Sequence, residues 1–282
     1  MLANQTKNSK KKRTVFIWII FTIFVMQFMS RPKILVTNDD GITSKGIASL
    51  IEVAKFFGDV LVVAPDKPQS ATGHSITIHH PLRLNEFYGY ESISAYSCSG
   101  TPVDCVKLAI YEILNGKPDL LLSGINHGEN TSTNVLYSGT MSAAVEGAME
   151  NIPSIGFSLA NFSADADFTM AQWAAKQIIE KALVNSIPEH TCLNVNVPDL
   201  RMNEVKGFKV ARQAHAFWAD RFEKRIDQFG KPYYWLTGEF SNVDQHEDTD
   251  LAAIKAGYVS VVPTHFDMTA YSKIDEIKNW KL

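Results

Sequence analysis

Cysteine is scarce in this chain. Three occur among 282 residues, Cys98, Cys105 and Cys192, and no two are spaced as C-x-x-C. An odd number without paired spacing excludes a disulfide framework and a zinc finger, and leaves buried free thiols in a reducing compartment. A net basic balance is also missing from most of the chain. Residues 1–30 hold five basic side chains (Lys7, Lys10, Lys11, Lys12, Arg13) and no acidic one, so the formal charge of −3 becomes −8 for the remainder. A body that acidic lacks the basic face that a DNA or RNA backbone requires, and no nucleic-acid polymer is expected as a partner. A small phosphorylated ligand held through a metal stays compatible with it. Long apolar runs are missing too. The best candidate, Val15–Met29, is broken by Thr22 and Gln27 and falls short of the ~20 residues that a membrane-spanning helix needs. No internal repeat and no disordered tract is expected.

The N-terminal stretch follows the basic run Lys10–Arg13 and resembles a signal peptide or signal anchor. No small-x-small cleavage site comes after it, because the next residues are Ser30, Arg31, Pro32 and Lys33. The favoured reading treats residues 1–28 as a start-site artefact. In that reading the protein begins at Met29, and Met29-Ser-Arg-Pro-Lys leads directly into a strand of a cytoplasmic α/β enzyme. The alternatives are a membrane anchor through residues 15–29 and a cleaved signal.

From Ile34 onward the pattern becomes regular. Ile34–Thr37 is a short apolar run ended by Asn38-Asp39-Asp40-Gly41, and Ile47, Leu50, Ile51, Ala54 and Phe57 follow at helical spacing up to Gly58. Val60–Ala64 is a second strand closed by Pro65. This β-α-β order predicts a Rossmann-like parallel sheet with helices on its faces. Further strands are expected at Leu120–Ser123, Ile155–Leu159, Leu193–Val197 and Tyr258–Val262. A side hairpin or sheet extension is expected from Ile76–His80 and Ile93–Cys98. Helices are expected after Gly100-Thr101-Pro102 and over Gly139–Asn151, Phe168–Val184 and Asp250–Ala256, with a polar, non-core loop from Gly124 to Tyr137. Val210–Phe240 mixes aromatic and charged residues, which suits either a β arm on a partner subunit or a surface hairpin on the protein's own core.

Four polar clusters lie beyond strand ends, where open parallel sheets bind ligands. Asp39 and Asp40 are adjacent carboxylates, which repel unless one is protonated or a cation lies between them; a hard cation such as Mg²⁺ or Mn²⁺ suits them. The segment Gln69–Ser75 offers a serine hydroxyl oxygen, as a ligand or a substrate contact. Asn126 offers an amide oxygen between Gly124 and Gly128, with His127 beside it. Ser138, Gly139 and Thr140 open a helix, and helix N-termini receive phosphate. Each cluster alone also reads as an ordinary turn, polar loop or cap. Their joint position beyond several strands of one sheet is what points to phosphate-ester hydrolysis assisted by a metal.

The strings ILVTNDDG (Ile34–Gly41), VLVVAPD (Val60–Asp66), GTPVDCV (Gly100–Val106), PDLLLSGIN (Pro118–Asn126), VLYSGT (Val135–Thr140), LNVNVPD (Leu193–Asp199) and GYVSVVP (Gly257–Pro263) run in one order along the chain. Together they resemble the survival protein SurE family of 5′/3′-nucleotidases, over about residues 33–270. The resemblance implies a SurE-like phosphatase domain over residues 29–282, in which residues 205–282 supply a C-terminal β arm and tail exchanged between subunits of a homodimer or homotetramer. It implies one divalent cation (Mg²⁺ or Mn²⁺) per subunit, held by Asp39, Asp40, Ser70 and Asn126. It also implies phosphate contacts from Asn130, Ser138, Gly139 and Thr140. The implied reaction is hydrolysis of nucleoside 5′- and 3′-monophosphates, with Asp39 and Asp40 as the catalytic pair, and in some members cleavage of short polyphosphate. Residues 1–28 have no counterpart in the family pattern. The segment Glu129–Asn134 departs from it, with His127 and Glu129 in place of smaller or apolar residues, which bears on substrate preference. Haloacid-dehalogenase-type phosphatases space their acids as D-x-D, unlike the adjacent pair here. A nucleotide sensor without turnover and a membrane-anchored scaffold are the remaining rival classes.

Overall fold

The computed structural model describes residues 31–280 and 282. The readings made above for residues 1–28 lie outside them. Among the described residues no helix is long and apolar enough to cross a membrane.

Strand β1 (Lys33–Thr37) pairs in parallel with β2 (Asp59–Pro65) on one side and with β5 (Leu120–His127) on the other. Alternate residues of β1 enter different cores, Ile34 and Val36 on one face and Leu35 on the other. Such burial of both faces is the reason its sequence is continuously apolar. Helices α1 (Lys45–Ala54) and α4 (Thr169–Asn185) cover the first face. Helices α2 (Pro102–Leu108) and α3 (Gly139–Met149) cover the second. The α2 start is fixed by Thr101, whose hydroxyl accepts from the Asp104 N–H at 3.2 Å while the Asp104 carboxylate accepts from the Thr101 N–H at 2.9 Å, a reciprocal capping box.

The remaining strands are β3 (Leu84–Glu86), β4 (Ser94–Cys98), β6 (Ser154–Leu159), β7 (Thr191–Val197), β8 (Phe208–Val210) and β11 (Val259–His265). The sheet order is β3-β4-β2-β1-β5-β6-β7-β11-β8, parallel from β4 to β7 and antiparallel at β3–β4 and β7–β11. The chain leaves β1 toward β2, then returns to β5 on its other side. The crevice beyond β1 and β5 is therefore a topological switch point, the place where such sheets bind ligands. Strands β9 (Ala216–Ile226) and β10 (Pro232–Asn242) pair only with each other, as an arm with nearly every residue exposed. Along the chain, helix α5 (Asp250–Lys255) precedes β11 and helix α6 (Ile274–Lys278) follows it.

Two expectations need correction. Ile76–His80 forms no strand; the extension pairs β4 with β3 instead. Ile76 and Ile78 are exposed, and the Thr77 N–H is satisfied by the Asp104 carboxylate at 3.0 Å, so the segment has a side-chain partner where a ladder would be. The polar loop from Gly124 is also neither all loop nor all surface. Strand β5 continues to His127 after a register shift between Ser123 and Asn126, Ser132–Leu136 forms a 3₁₀ turn, and Asn130, Thr131 and Ser132 are buried. Hydrogen bonds to distant residues compensate the burial of Asn130 (Asn196, Ser158) and Ser132 (Asp250, Ala216), while Thr131 Oγ1 has no partner among the described residues.

Candidate active site

The turn after β1 is built by its own side chains. Asn38 Nδ2 donates to the Gly41 carbonyl at 3.0 Å and to Ser44 Oγ at 2.9 Å, and Ser44 caps α1. Gly41 turns the chain at φ +94°, a conformation that favours glycine. This geometry aims Asp39 and Asp40 into the crevice. Asp39 is 6% exposed and Asp40 is half-buried.

Helix α3 meets Asp39 end-on. Ser138 is its N-cap and accepts from the Met141 N–H at 3.1 Å. Thr140 Oγ1 donates to Asp39 Oδ1 at 2.5 Å. Gly139 permits this approach: a β-carbon there would lie 2.6 Å from Asp39 Cβ and 2.9 Å from Oδ2. Burial pushes the Asp39 carboxyl up to about 6, with the neighbouring Asp40 charge adding to the rise and the Thr140 hydroxyl opposing it. Asp40 is also raised by burial, against a pull from the His127 N–H, which donates to its Oδ2 at 3.4 Å. Among the described residues neither carboxylate has a Lys or Arg partner.

Asn126 follows β5 into the same crevice. Its Nδ2 donates to the carbonyls of His127 (3.1 Å) and Gly128 (2.8 Å), and no protein donor reaches its Oδ1 among the described residues. Ser70 is exposed on the segment after β2, which the Gln69 N–H ties to the Asp39 carbonyl at 2.7 Å. The structure therefore brings Asp39, Asp40, Ser138, Gly139 and Thr140 together directly, with Asn126 and Ser70 on adjoining backbone.

Asn130 is placed differently. It is buried, its Nδ2 donates to Ser158 Oγ at 2.8 Å, and its N–H donates to Asn196 Oδ1 at 2.7 Å. Asn194 donates to the Asn130 carbonyl at 2.8 Å, and Asn196 to Asn194 Oδ1 at 3.0 Å. This network was missed in the sequence, although Asn194 and Asn196 share one face of an otherwise apolar strand, which signals paired buried amides. Asp250 was missed as well. Fully buried, it accepts N–H groups from Ser132 (2.8 Å), Ala214 (3.0 Å) and Leu251 (2.8 Å), and so fastens the segment before α3 to the root of the arm.

The donor set fits a hard cation. Two carboxylates stand without a counter-charge, and their companions are hydroxyl and amide oxygens. Asn38 Oδ1, Thr37 Oγ1 and Ser123 Oγ are buried at the end of β1 and beside the register shift of β5 without a hydrogen-bond partner, among the described residues. No group of three or more His, Cys, Asp or Glu gathers among the described residues, which sets the site apart from a thiolate or imidazole centre.

The family model of the survival protein SurE matches residues 34–220. A protein of Flavobacterium johnsoniae named 5′-nucleotidase SurE is 56% identical over 253 residues, covering 89% of this chain and 98% of the relative. Another of that name from Cytophaga hutchinsonii is 52% identical, over 90% of this chain and 98% of the relative. The crystal structure of the SurE protein from Aquifex aeolicus superimposes with a TM-score of 0.78 at 43% identity, covering 89% of this chain and all of that one.

Proposed function

The chain belongs to the SurE family, and from that premise we propose that it is a 5′-nucleotidase, a phosphoric monoester hydrolase that uses one divalent cation per subunit. The observation that carries the metal reading is the uncompensated pair Asp39 and Asp40 at the switch point, faced by the mouth of helix α3. A phosphate dianion beside two carboxylates is repelled unless a cation separates them.

Asp39, Asp40, Ser70 and Asn126 hold the cation, Mg²⁺ or Mn²⁺, in this reading. When bound, it supplies Lewis acidity toward the phosphoryl group and the attacking water. Asp39 is the anchored ligand, since Thr140 fixes one of its oxygens. Asp40, whose N–H contact is long at 3.4 Å, takes the proton of the attacking water. Ser138, Gly139 and Thr140 receive phosphate oxygens at the helix mouth, where the N–H dipoles offset charge that grows in the transition state. Asn130, through its amide network, fixes the segment on which the phosphate rests. Nucleoside 5′- and 3′-monophosphates are the substrates, with short polyphosphate as a further one. Nucleophilic attack by a carboxylate is the competing path, and recovery of a phosphorylated Asp39 or Asp40 after rapid quench would replace the water path with it.

Homo-oligomerisation through an exchanged arm belongs to the same proposal. An isolated two-stranded hairpin is marginal in water, and β9–β10 exposes Trp218, Phe222, Tyr234 and Trp235. A cytoplasmic location fits the three free, buried cysteines. The test is phosphate release from a nucleoside-monophosphate panel with Mn²⁺, with Mg²⁺ and with chelator. Metal-dependent release supports the proposal. Folded protein that binds nucleotide yet releases no phosphate with any metal supports a sensor instead.

A further inference from the structure

Among the described residues, Glu146 is a buried acid that has no part in the chemistry described above. Glu146 lies on α3 at 2% exposure, six residues beyond Thr140 and so about 9 Å further along the helix axis. Its Oε1 is 2.5 Å from Lys107 Nζ on α2, and its Oε2 is 2.8 Å from His74 Nε2. Both partners reach it from half-exposed positions, with side-chain exposures of 40% for Lys107 and 34% for His74. A buried carboxylate is costly unless paired, and an apolar residue in its place is often at least as stable. Stability of the helix packing is therefore a weak account of this glutamate.

What Glu146 holds is the segment carrying Ser70. Between Asp66 and Thr77 the chain has neither helix nor strand, and Ala71 and Gly73 take left-handed backbone angles of +57° and +56°. The segment is fastened at a few points: the Gln69 N–H to the Asp39 carbonyl (2.7 Å), the Gly73 N–H to the Tyr137 carbonyl (3.2 Å), His74 to Glu146, the Thr101 hydroxyl to the Ser75 carbonyl (2.8 Å) and the Thr77 N–H to Asp104 (3.0 Å). Ser70 lies between the first two. The second is long, and His74 is the side-chain anchor immediately behind it.

We infer that His74 and Glu146 are positioning residues, which lock the Ser70 segment to the same helix whose mouth receives the phosphate. The inference rests on the reading of Asp39 and Ser70 as cation ligands. Helix α3 then acts as a common ruler: its N-terminus sets the Asp39 carboxylate and its middle sets the height of Ser70, so these two sides of the site are held by one rigid body. Lys107 neutralises Glu146 from the far side and leaves Oε2 to His74.

The test compares wild type, His74→Ala, His74→Gln and Asp39→Asn in full-length protein. Mn²⁺ affinity is read by calorimetry at pH 7.5, and amide exchange is followed over residues 69–75 and over α3. His74→Ala is expected to weaken Mn²⁺ binding about tenfold and to speed exchange in the 69–75 segment, with α3 unchanged. A glutamine amide can still donate to Glu146, so His74→Gln is expected to restore most of the affinity. If Asp39→Asn abolishes binding while His74→Ala stays within twofold of wild type, the metal site stands and the positioning role falls. A glutamine variant as weak as the alanine variant also overturns it, because the tether would then not be what matters. Wild-type affinity in Asp39→Asn removes the site itself and this inference with it.

Discussion

Two buried carboxylates lie against helix α3, and the protein treats them in opposite ways. Burial works against the charge of Glu146, yet hydrogen bonds from His74 and Lys107 outweigh it and hold the carboxyl below its usual range. Asp39, at the mouth of the same helix, has a hydroxyl and a like-charged neighbour for company, and its carboxyl is pushed up to about 6. The fold can thus neutralise an acid in its interior when it supplies the partners. At Asp39 and Asp40 it supplies a hydroxyl and a backbone N–H but, among the described residues, no Lys or Arg, and the proposed cation is the charge that would balance them.

The comparison breaks most visibly if the space around Asp39 is altered. Gly139→Ala places a methyl group 2.6 Å from Asp39 Cβ and forces the carboxylate and the helix mouth apart. Phosphate release is expected to fall on the order of 10²-fold, by analogy with the loss of a transition-state donor, and the thermal midpoint is expected to fall as well, because Asp39 Cβ is set by the backbone and no side-chain rotation relieves the contact. Steady-state kinetics beside a melting curve checks this. Unchanged kinetics would mean that the closeness of α3 to Asp39 is incidental.

The opposed shifts also predict opposed pH dependences of stability in metal-free protein. Asp39 is raised in the folded state from 3.8 to about 6, so its contribution is fully present below about pH 4 and is lost as pH rises through about 6. That loss is roughly 3 kcal/mol and is absent from Asp39→Asn. Glu146 has the reverse sign: its contribution is present above its unfolded value of 4.5 and is lost as pH falls below it. Urea midpoints in chelator across pH 4–8, for wild type, Asp39→Asn and Glu146→Gln, separate the two. Saturating Mn²⁺ is expected to remove the Asp39 loss near neutrality, since the cation takes the place of the proton.

A smaller effect sharpens the role of the helix mouth. Thr140→Val removes the donor to Asp39 Oδ1 while keeping the shape, and a loss of about tenfold in kcat/KM is expected from one charge-assisted hydrogen bond. Thr140→Ser is expected to keep most of the activity. Equal losses in the two variants would assign the effect to packing instead.

The β-α-β core and the main strands were legible in the sequence, because β1 and β2 are continuously apolar and end at polar turns. The tandem acids and the helix opening at Ser138 were legible for a related reason: their positions follow from strand and helix ends, which are local. What escaped depends on partners distant in sequence. Ile76–His80 has strand-like alternation, but its backbone donor is taken by Asp104, 27 residues beyond Thr77. The polar run through Asn130–Ser132 reads as surface, yet Ser158, Asn194, Asn196 and Asp250 make it interior. Glu146 reads as an ordinary helix surface acid until His74 and Lys107 are folded against it. Composition likewise leaves open whether the aromatic arm meets a partner or its own core, and in the structure it stands clear of the sheet.

The central claim is that Asp39 and Asp40 hold a divalent cation at the crevice between β1 and β5. Anomalous diffraction from crystals soaked in Mn²⁺ tests it most directly. A single strong peak at the Asp39 and Asp40 carboxylates, close to Ser70 and Asn126, is the predicted result. A well-ordered crevice without a peak, or a peak elsewhere in a crystal whose enzyme releases phosphate, would contradict it.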